Sequence, residues 1–202
     1  MTRLSLLSPS DYQRTRWKND GGWTTEIARS ADDSSAGFRW RISIAEIERD
    51  GPFSSFPGIA RDLLLLDGNG IELDIDDAPP RRLARRFERV HFEGEARVDC
   101  RLLAGPTRDF NVMARRDAVR ADVVARPLVG PMVIFPEAGC EWFVHVLAGE
   151  ANLRAGGRVE RLAASASLLA DFRDSAGERI VIEGGGEIVL VKLASAAAGI
   201  NR

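Results

Sequence analysis

The sequence predicts an all-β chain built as two fused small barrels. Three observations carry this expectation: apolar and polar residues alternate with period two, turn-forming residues recur at short intervals, and one motif occurs twice. A half-buried strand points successive side chains to opposite faces, so alternation is its signature.

Along the chain, Trp40, Ile42 and Ile44 alternate with Arg41, Ser43 and Ala45. Ile71, Leu73 and Ile75 alternate with Glu72, Asp74 and Asp76, and Val98, Cys100 and Leu102 with Asp99 and Arg101. The apolar runs Leu63 to Leu66 and Ile188 to Val191 fit strands buried on both faces. Turns are expected at Asp67-Gly68-Asn69-Gly70, Ala78-Pro79-Pro80, Ala155-Gly156-Gly157 and Gly184-Gly185-Gly186. Helical periodicity is weak, and its best candidate is Leu83, Phe87 and Val90. The repeated motif is Gly51-Pro52-Phe53-Ser54-Ser55-Phe56-Pro57, echoed as Gly130-Pro131-Met132-Val133-Ile134-Phe135-Pro136. Each copy leads into an apolar strand that ends in glycine, Leu63 to Gly68 and Phe143 to Gly149. The expected organisation is a first barrel over 1–125 holding the ligand pocket, a second over 126–193, and a small-residue tail over 194–202.

Composition narrows the function classes. The 202 residues are 45% hydrophobic and 29% charged with a formal net charge of −2, which exerts no general pull on nucleic acid or an anionic membrane. The basic cluster Arg81, Arg82, Arg85, Arg86 and Arg89 has no interleaved aromatic platform and reads as a solvated face. No apolar stretch is long enough to span a bilayer, and the first ten residues lack the pattern of a signal peptide. Cys100 and Cys140 form no Cys-x-x-Cys pair and read as buried thiols in a reducing compartment. The expectation is a soluble, cytoplasmic protein, compatible with a homodimer.

The chemistry-bearing residues are few. His91 and His145 stand alone, with no second nitrogen at ligand spacing, so no metal and no cofactor is expected. There is no G-x-S-x-G elbow, and the glycine-rich stretches adjoin strands rather than opening helices. What stands out is polar residues in aromatic, glycine-bounded segments. These are Lys18, Asn19, Thr25 and Glu26 within Trp17 to Ile27, then Arg41 and Ser43 on one side of a strand, Arg61 before the leucine run, and Asp109, Asn111 and Arg115 at matching parity. If they face a lumen, arginines and amides converge on an anion, and Glu26 or Asp109 can meet a cationic group. The alternative is that they are ordinary strand exteriors facing water.

At these segments the sequence resembles a known family. Trp17-Lys18-Asn19-Asp20-Gly21-Gly22 with Thr25-Glu26-Ile27 is similar to the W-[KR]-N-G-G-G-x-T-x-E-I opening of the HutD/Ves family. Trp40 to Ala45, Gly51 to Ser54 with Phe56-Pro57-Gly58, Arg61, Leu66, Gly68, Phe92 to Glu95, and Asp109 to Met113 with Arg115 follow in the same order. The resemblance is detailed over roughly 5–120 and general beyond it. One departure is Asp20, where many members carry glycine. The resemblance implies a cupin-like, RmlC-type jelly roll in two copies, a bicupin. Cupins usually hold a metal through G-x5-H-x-H-x3-4-E-x6-G. Started at Gly51, that template meets Pro57 and Ile59 at its histidines; anchored on Gly68, it meets Arg61 at its glutamate. An arginine there turns a cation site into an anion site.

The resemblance further implies a place in bacterial histidine utilisation, where such proteins are thought to restrain flux, or in stress responses. Urocanate, formiminoglutamate and formylglutamate, intermediates of that pathway, are all carboxylates. The leading expectation is a regulatory or accessory protein that binds a small carboxylate. A metal-independent enzyme using Glu26 or Asp109 as base is the rival, and a protein-interaction module built on the arginine cluster is the third reading.

Overall fold

Alternation along the sequence becomes seventeen strands in the computed structural model, which describes residues 3–32, 36–155, 157–173 and 178–196. Strand β1 is Arg3–Leu7, followed by a 3-10 turn at Pro9–Asp11. Then come β2 (Gln13–Arg16), β3 (Gly22–Ala31), β4 (Phe38–Ile47), β5 (Gly51–Pro52) and β6 (Ile59–Asp67). Strands β7 (Ile71–Ile75), β8 (Arg81–Leu83), β9 (Arg89–Glu93), β10 (Val98–Leu102) and β11 (Thr107–Arg115) complete the first half. The second half holds β12 (Val119–Val129), β13 (Met132–Ile134), β14 (Cys140–Ala155), β15 (Arg158–Ala163), β16 (Ser167–Phe172) and β17 (Ile180–Ser195). No α-helix occurs among the described residues.

The chain divides into two units, 12–118 and 119–202 with 1–11. The division differs from the expected one at 125/126. Strand β12 runs unbroken through Ala125 and pairs along its whole length with β17, while β1 pairs with β16. Residues Ala194 and Ser195 of the expected tail lie in β17, opposite Arg120 and Val119; residues 197–202 lie outside the described residues.

In the 12–118 unit, a six-stranded sheet (β2-β3-β4-β11-β6-β9) and a four-stranded sheet (β5-β10-β7-β8) share a core. Ile47, Leu63 and Leu65 of the first sheet belong to one buried cluster with Ile71, Leu73 and Cys100 of the second. The weak helical candidate at Leu83, Phe87 and Val90 is not a helix, because Leu83 and Val90 each end in that same cluster from different strands. Between them Phe87 takes a φ of 69°, which no helix admits, and its N–H donates to the Leu65 carbonyl at 2.8 Å.

In the other unit a single seven-stranded sheet, ordered β1-β16-β14-β17-β12 with β13 on β17 and β15 on β14, encloses an aliphatic core. The expected turn at Gly184-Gly185-Gly186 lies instead inside β17, beside Gly149 to Ala151 of β14. Gly184 and Gly186 adopt φ of 152° and 131°, and a side chain on either would run into the backbone of β14. The glycines serve close strand approach, not reversal. In neither unit do the described strands close into a barrel. No helix among the described residues is long and apolar enough to cross a membrane.

Candidate ligand-binding site

Strand register gathers the polar residues of the 12–118 unit. Residues directly opposite in an antiparallel pair point to the same face. Glu26 lies opposite Ser43, Ser43 opposite Asn111, and Asn111 opposite Leu63, which makes one row across β3, β4, β11 and β6. Thr24, Ala45, Asp109 and Leu65 form the next row, and Arg41, Met113 and Arg61 the row on the other side. This face lines a cavity of about 680 Å³. Lys18, Asn19, Arg41, Ser43, Arg61, Asp109 and Asn111 all lie in its wall.

Arg61 is the buried cation of the site, 7% exposed. The rings of Phe92, Phe53 and Phe56 surround its guanidinium at 4.9, 5.4 and 5.7 Å. Its Nη2 donates to Asn111 Oδ1 at 3.3 Å and its Nη1 to the Ser54 carbonyl at 3.4 Å, but its buried Nε has no partner. Burial lowers its pKa to about 10, against the pull of the Asp109 charge and helped by repulsion from Arg41, so it stays charged at neutral pH. Asp109 is fully buried. Its Oδ1 accepts a short hydrogen bond from Asn111 Nδ2, and its Oδ2 is unpartnered. Burial pushes its carboxyl up to about 7, opposed by Arg61 and by the Asn111 amide.

The remaining residues shape the wall. Arg41 donates from Nε to Glu26 at 2.7 Å, which fixes its direction; Glu26 also meets Arg29 at 3.5 Å. Trp17 donates from its indole to Thr24 Oγ1 at 2.8 Å and stands edge-on to Phe53. Asn19 closes its loop by accepting from the Gly21 N–H at 3.0 Å. Asp20, the departure from the family's glycine, has a φ of 55°, a left-handed conformation that aspartate tolerates better than most residues.

Three expected residues stand outside the wall. Glu26 shares the face of Ser43 but does not line the cavity, and it pairs with Arg41 and Arg29 instead. Thr25 lies opposite Ile44, on the other face of the sheet from Glu26, and Thr24 takes its place in the wall. Arg115 shares the parity of Asp109 and Asn111 but lies at the end of β11. There it pairs with Asp32 at 2.5 Å and Asp117 at 2.6 Å, outside the cavity wall. Sequence reasoning did not place Trp17, Thr24, Phe53, Phe56 or Met113 in a site. Phe53 and Phe56 were visible only as landmarks of the repeat, and Met113 follows from the parity of Asp109 and Asn111.

The donor set does not fit a divalent metal. Four cationic side chains, Arg16, Lys18, Arg41 and Arg61, share the wall with one carboxylate, Asp109. Among the described residues no three His, Cys, Asp or Glu side chains cluster. His91 is exposed beside Asp62, and His145 is buried with its Nδ1 2.8 Å from Ser167 Oγ. The arrangement instead offers N–H donors on an aromatic-backed cation, which is the chemistry of an anion pocket.

Fold and site together define a cupin-like all-β protein with a cationic pocket. Similarity to an Escherichia coli pirin bound to nickel (11% identity, TM-score 0.71, covering 95% of this chain and 99% of that one) concerns the fold alone. The same holds for a Lactobacillus farciminis oxalate decarboxylase formate complex (10% identity, TM-score 0.63, covering 94% and 85%). The chain belongs to the HutD family, whose model matches residues 9–190. It is 33% identical to HutD from Pseudomonas fluorescens SBW25, with a TM-score of 0.83 over 96% of this chain and 99% of that one. It is 45% identical over 121 residues to an uncharacterised 21.2 kDa protein of Pseudomonas putida encoded in the hutC 3′ region, covering 60% of this chain and 63% of that protein. A Protein Ves from Citrobacter koseri is 37% identical over 108 residues, covering 53% and 56%. The alignments thus span about three fifths of the length of these curated relatives.

Proposed function

We propose that this chain is a cytoplasmic carboxylate-binding protein that serves histidine utilisation in a regulatory or accessory role. The observation that carries the reading is Arg61, a buried, aromatic-ringed cation in a cavity wall with an unpartnered N–H. An unmet buried donor costs about 1–3 kcal/mol, which a carboxylate ligand recovers. The link to histidine utilisation is supported by the family and by the relative from the hutC 3′ region; the Pseudomonas fluorescens HutD structure is described as a formate condition. Urocanate, formiminoglutamate and formylglutamate are the ligands of choice, with Arg61 and Asn111 at the carboxylate and Arg41, Ser43, Lys18 and Asn19 along the remaining wall. The two sheet units are, in this reading, the diverged halves of a bicupin.

A thermal-shift panel of these acids on metal-stripped protein tests the proposal. A true ligand at a hundred times its Kd adds about 2.7 kcal/mol of stability. Arg61→Ala is expected to abolish that gain. A ligand shift that persists in Arg61→Ala, or that appears only with added metal, refutes the reading.

One observation favours a second reading, a metal-independent enzyme. Asp109, pushed up to about 7, is poised as a general acid or base in the cavity. Turnover of the bound acid by pure protein, followed by NMR and lost in Asp109→Asn, decides for it; an unchanged ligand decides against.

A further inference from the structure

The cavity wall contains two unpartnered buried polar atoms, Arg61 Nε and Asp109 Oδ2. Asn111 ties the two side chains together, accepting from Arg61 through Oδ1 and donating to Asp109 through Nδ2. They are not equivalent. The guanidinium nitrogen can only donate; the carboxyl oxygen accepts when ionised and donates when protonated. An anion has only acceptors to offer, so it matches Arg61 and is repelled by an ionised Asp109. Protonation removes the repulsion and supplies a second donor at the same place.

Resting on the carboxylate-binding reading above, we propose that the cavity takes up its anion together with one proton. The proton comes from solvent and settles on Asp109, whose O–H then joins Arg61 Nε–H in holding the anion. The balance is simple: free anion, one proton and ionised Asp109 become bound anion and neutral Asp109, with no bond to carbon changed.

The surroundings support this. Burial already pushes the Asp109 carboxyl up to about 7. A bound anion excludes the remaining water and adds negative charge, and both act in the same direction. Against this, Arg61 on β6 and the Asn111 amide on the same strand β11 favour the ionised form of Asp109. Arg41 on β4 acts on Arg61. Cys100 on β10 senses both Asp109 and Asp50, and burial pushes its thiol up to about 12, so it stays neutral and does not compete for the charge. Lys18 and Arg16 also line the wall, and Arg16 is engaged by Glu48 at 2.6 Å and Asp20 at 3.3 Å.

The test is calorimetric titration of the full chain with formate and with N-formylglutamate, whose carboxylates remain ionised throughout. Measured at about pH 6 and about pH 8.5, the affinity should fall nearly tenfold per pH unit above neutrality. Binding heats compared in HEPES and Tris should give close to one proton taken up at the higher pH. The infrared difference spectrum of the wild-type complex should gain a carboxylic C=O band. Asp109→Asn, which preserves shape, should bind both acids with affinity independent of pH, without proton uptake and without the new band. The wild-type measurements decide the matter even where the variant folds poorly. Equal affinity at both pH values with no proton uptake overturns the coupling and leaves the carboxylate-binding function standing. Failure of both acids to bind at either pH removes both proposals.

Discussion

The interiors of the two sheet units answer the same burial problem in opposite ways. Residues Val144, Leu168, Phe172, Ile180, Ile182 and Ile188 fill the 119–196 unit with aliphatic and aromatic side chains. In the 12–118 unit, Leu63 and Leu65 share a sheet face with Arg61, Asp109 and Asn111, and that face lines a cavity. The repeated motif makes the difference concrete. Ten residues after Gly51 stands Arg61; ten residues after Gly130 stands Cys140. Both are buried, at 7% and 3% exposure, but one is a cation and the other a thiol whose ionisation burial suppresses. The landmark phenylalanines diverge too: Phe56 lines the cavity beside Arg61, and Phe135 is 72% exposed. A strand pattern decides where side chains point, whereas residue choice decides whether the space they face is filled or kept open.

The sharpest way to break this comparison is to hollow the filled unit. Phe172 is 2% exposed within the aliphatic cluster, so Phe172→Ala removes a large side chain that its neighbours cannot replace. The expected loss of unfolding free energy, read by denaturant melts, is about 3–5 kcal/mol. Carboxylate affinity of the folded protein should change by less than about twofold, since the Phe172 cluster and the cavity wall have no residue in common. A large loss of affinity would show that the two interiors are coupled and the contrast is false.

The second prediction works from the open interior. Native Asp109 holds its proton up to about pH 7, whereas an unfolded aspartate releases it near 3.9. The folded state therefore binds more protons between those values. Its stabilising contribution is whole below about pH 4 and is lost as pH rises through about 7, approaching 1.4 kcal/mol per pH unit. Asp109→Asn should not show this loss, so its stability should gain on that of the wild type between pH 5 and 8 in urea titrations. Parallel curves for the two proteins would mean that the carboxyl keeps its water and the cavity is not a low-dielectric site.

How much of this contrast is legible in the sequence depends on the residue. Period two places Arg41 with Ser43 and Asp109 with Asn111, and Arg61 stands out just before the leucine run, so most of the charged lining is legible in residue order, while Arg16 is not. Parity cannot tell one end of a strand from the other, which is why Arg115 is expected in the lumen and is found with Asp32 and Asp117. Thr25 fails for a different reason. It adjoins Glu26 in an unbroken stretch of strand, where neighbours face opposite sides, so Thr24 and not Thr25 shares the face of Glu26. The run Gly184 to Gly186 reads as a turn by composition, yet it is close strand approach, a demand set by a distant backbone. The weak helical spacing around Phe87 gives no helix because tertiary burial of Leu83 and Val90 outweighs it. Charge placement is thus largely a local property, while strand ends and close approach are properties of the assembled sheet.

The smallest predicted effect asks whether the cavity wall is set by polar links or by packing. Thr24 accepts the Trp17 indole N–H at 2.8 Å, and Trp17 in turn stands edge-on to Phe53, one of the rings around Arg61. Thr24→Val keeps the shape and removes the acceptor. The half-buried indole can still find water, so the expected cost is about 1 kcal/mol rather than the full penalty of a dry donor. If the link aims the Phe53 ring, carboxylate affinity should fall as well, by a factor of about 5 for a comparable energy at the ligand. If stability and affinity both stay within about 0.3 kcal/mol of the wild type, packing alone holds the wall. The open interior would then resemble the filled one in everything except Arg61, Asp109 and Asn111.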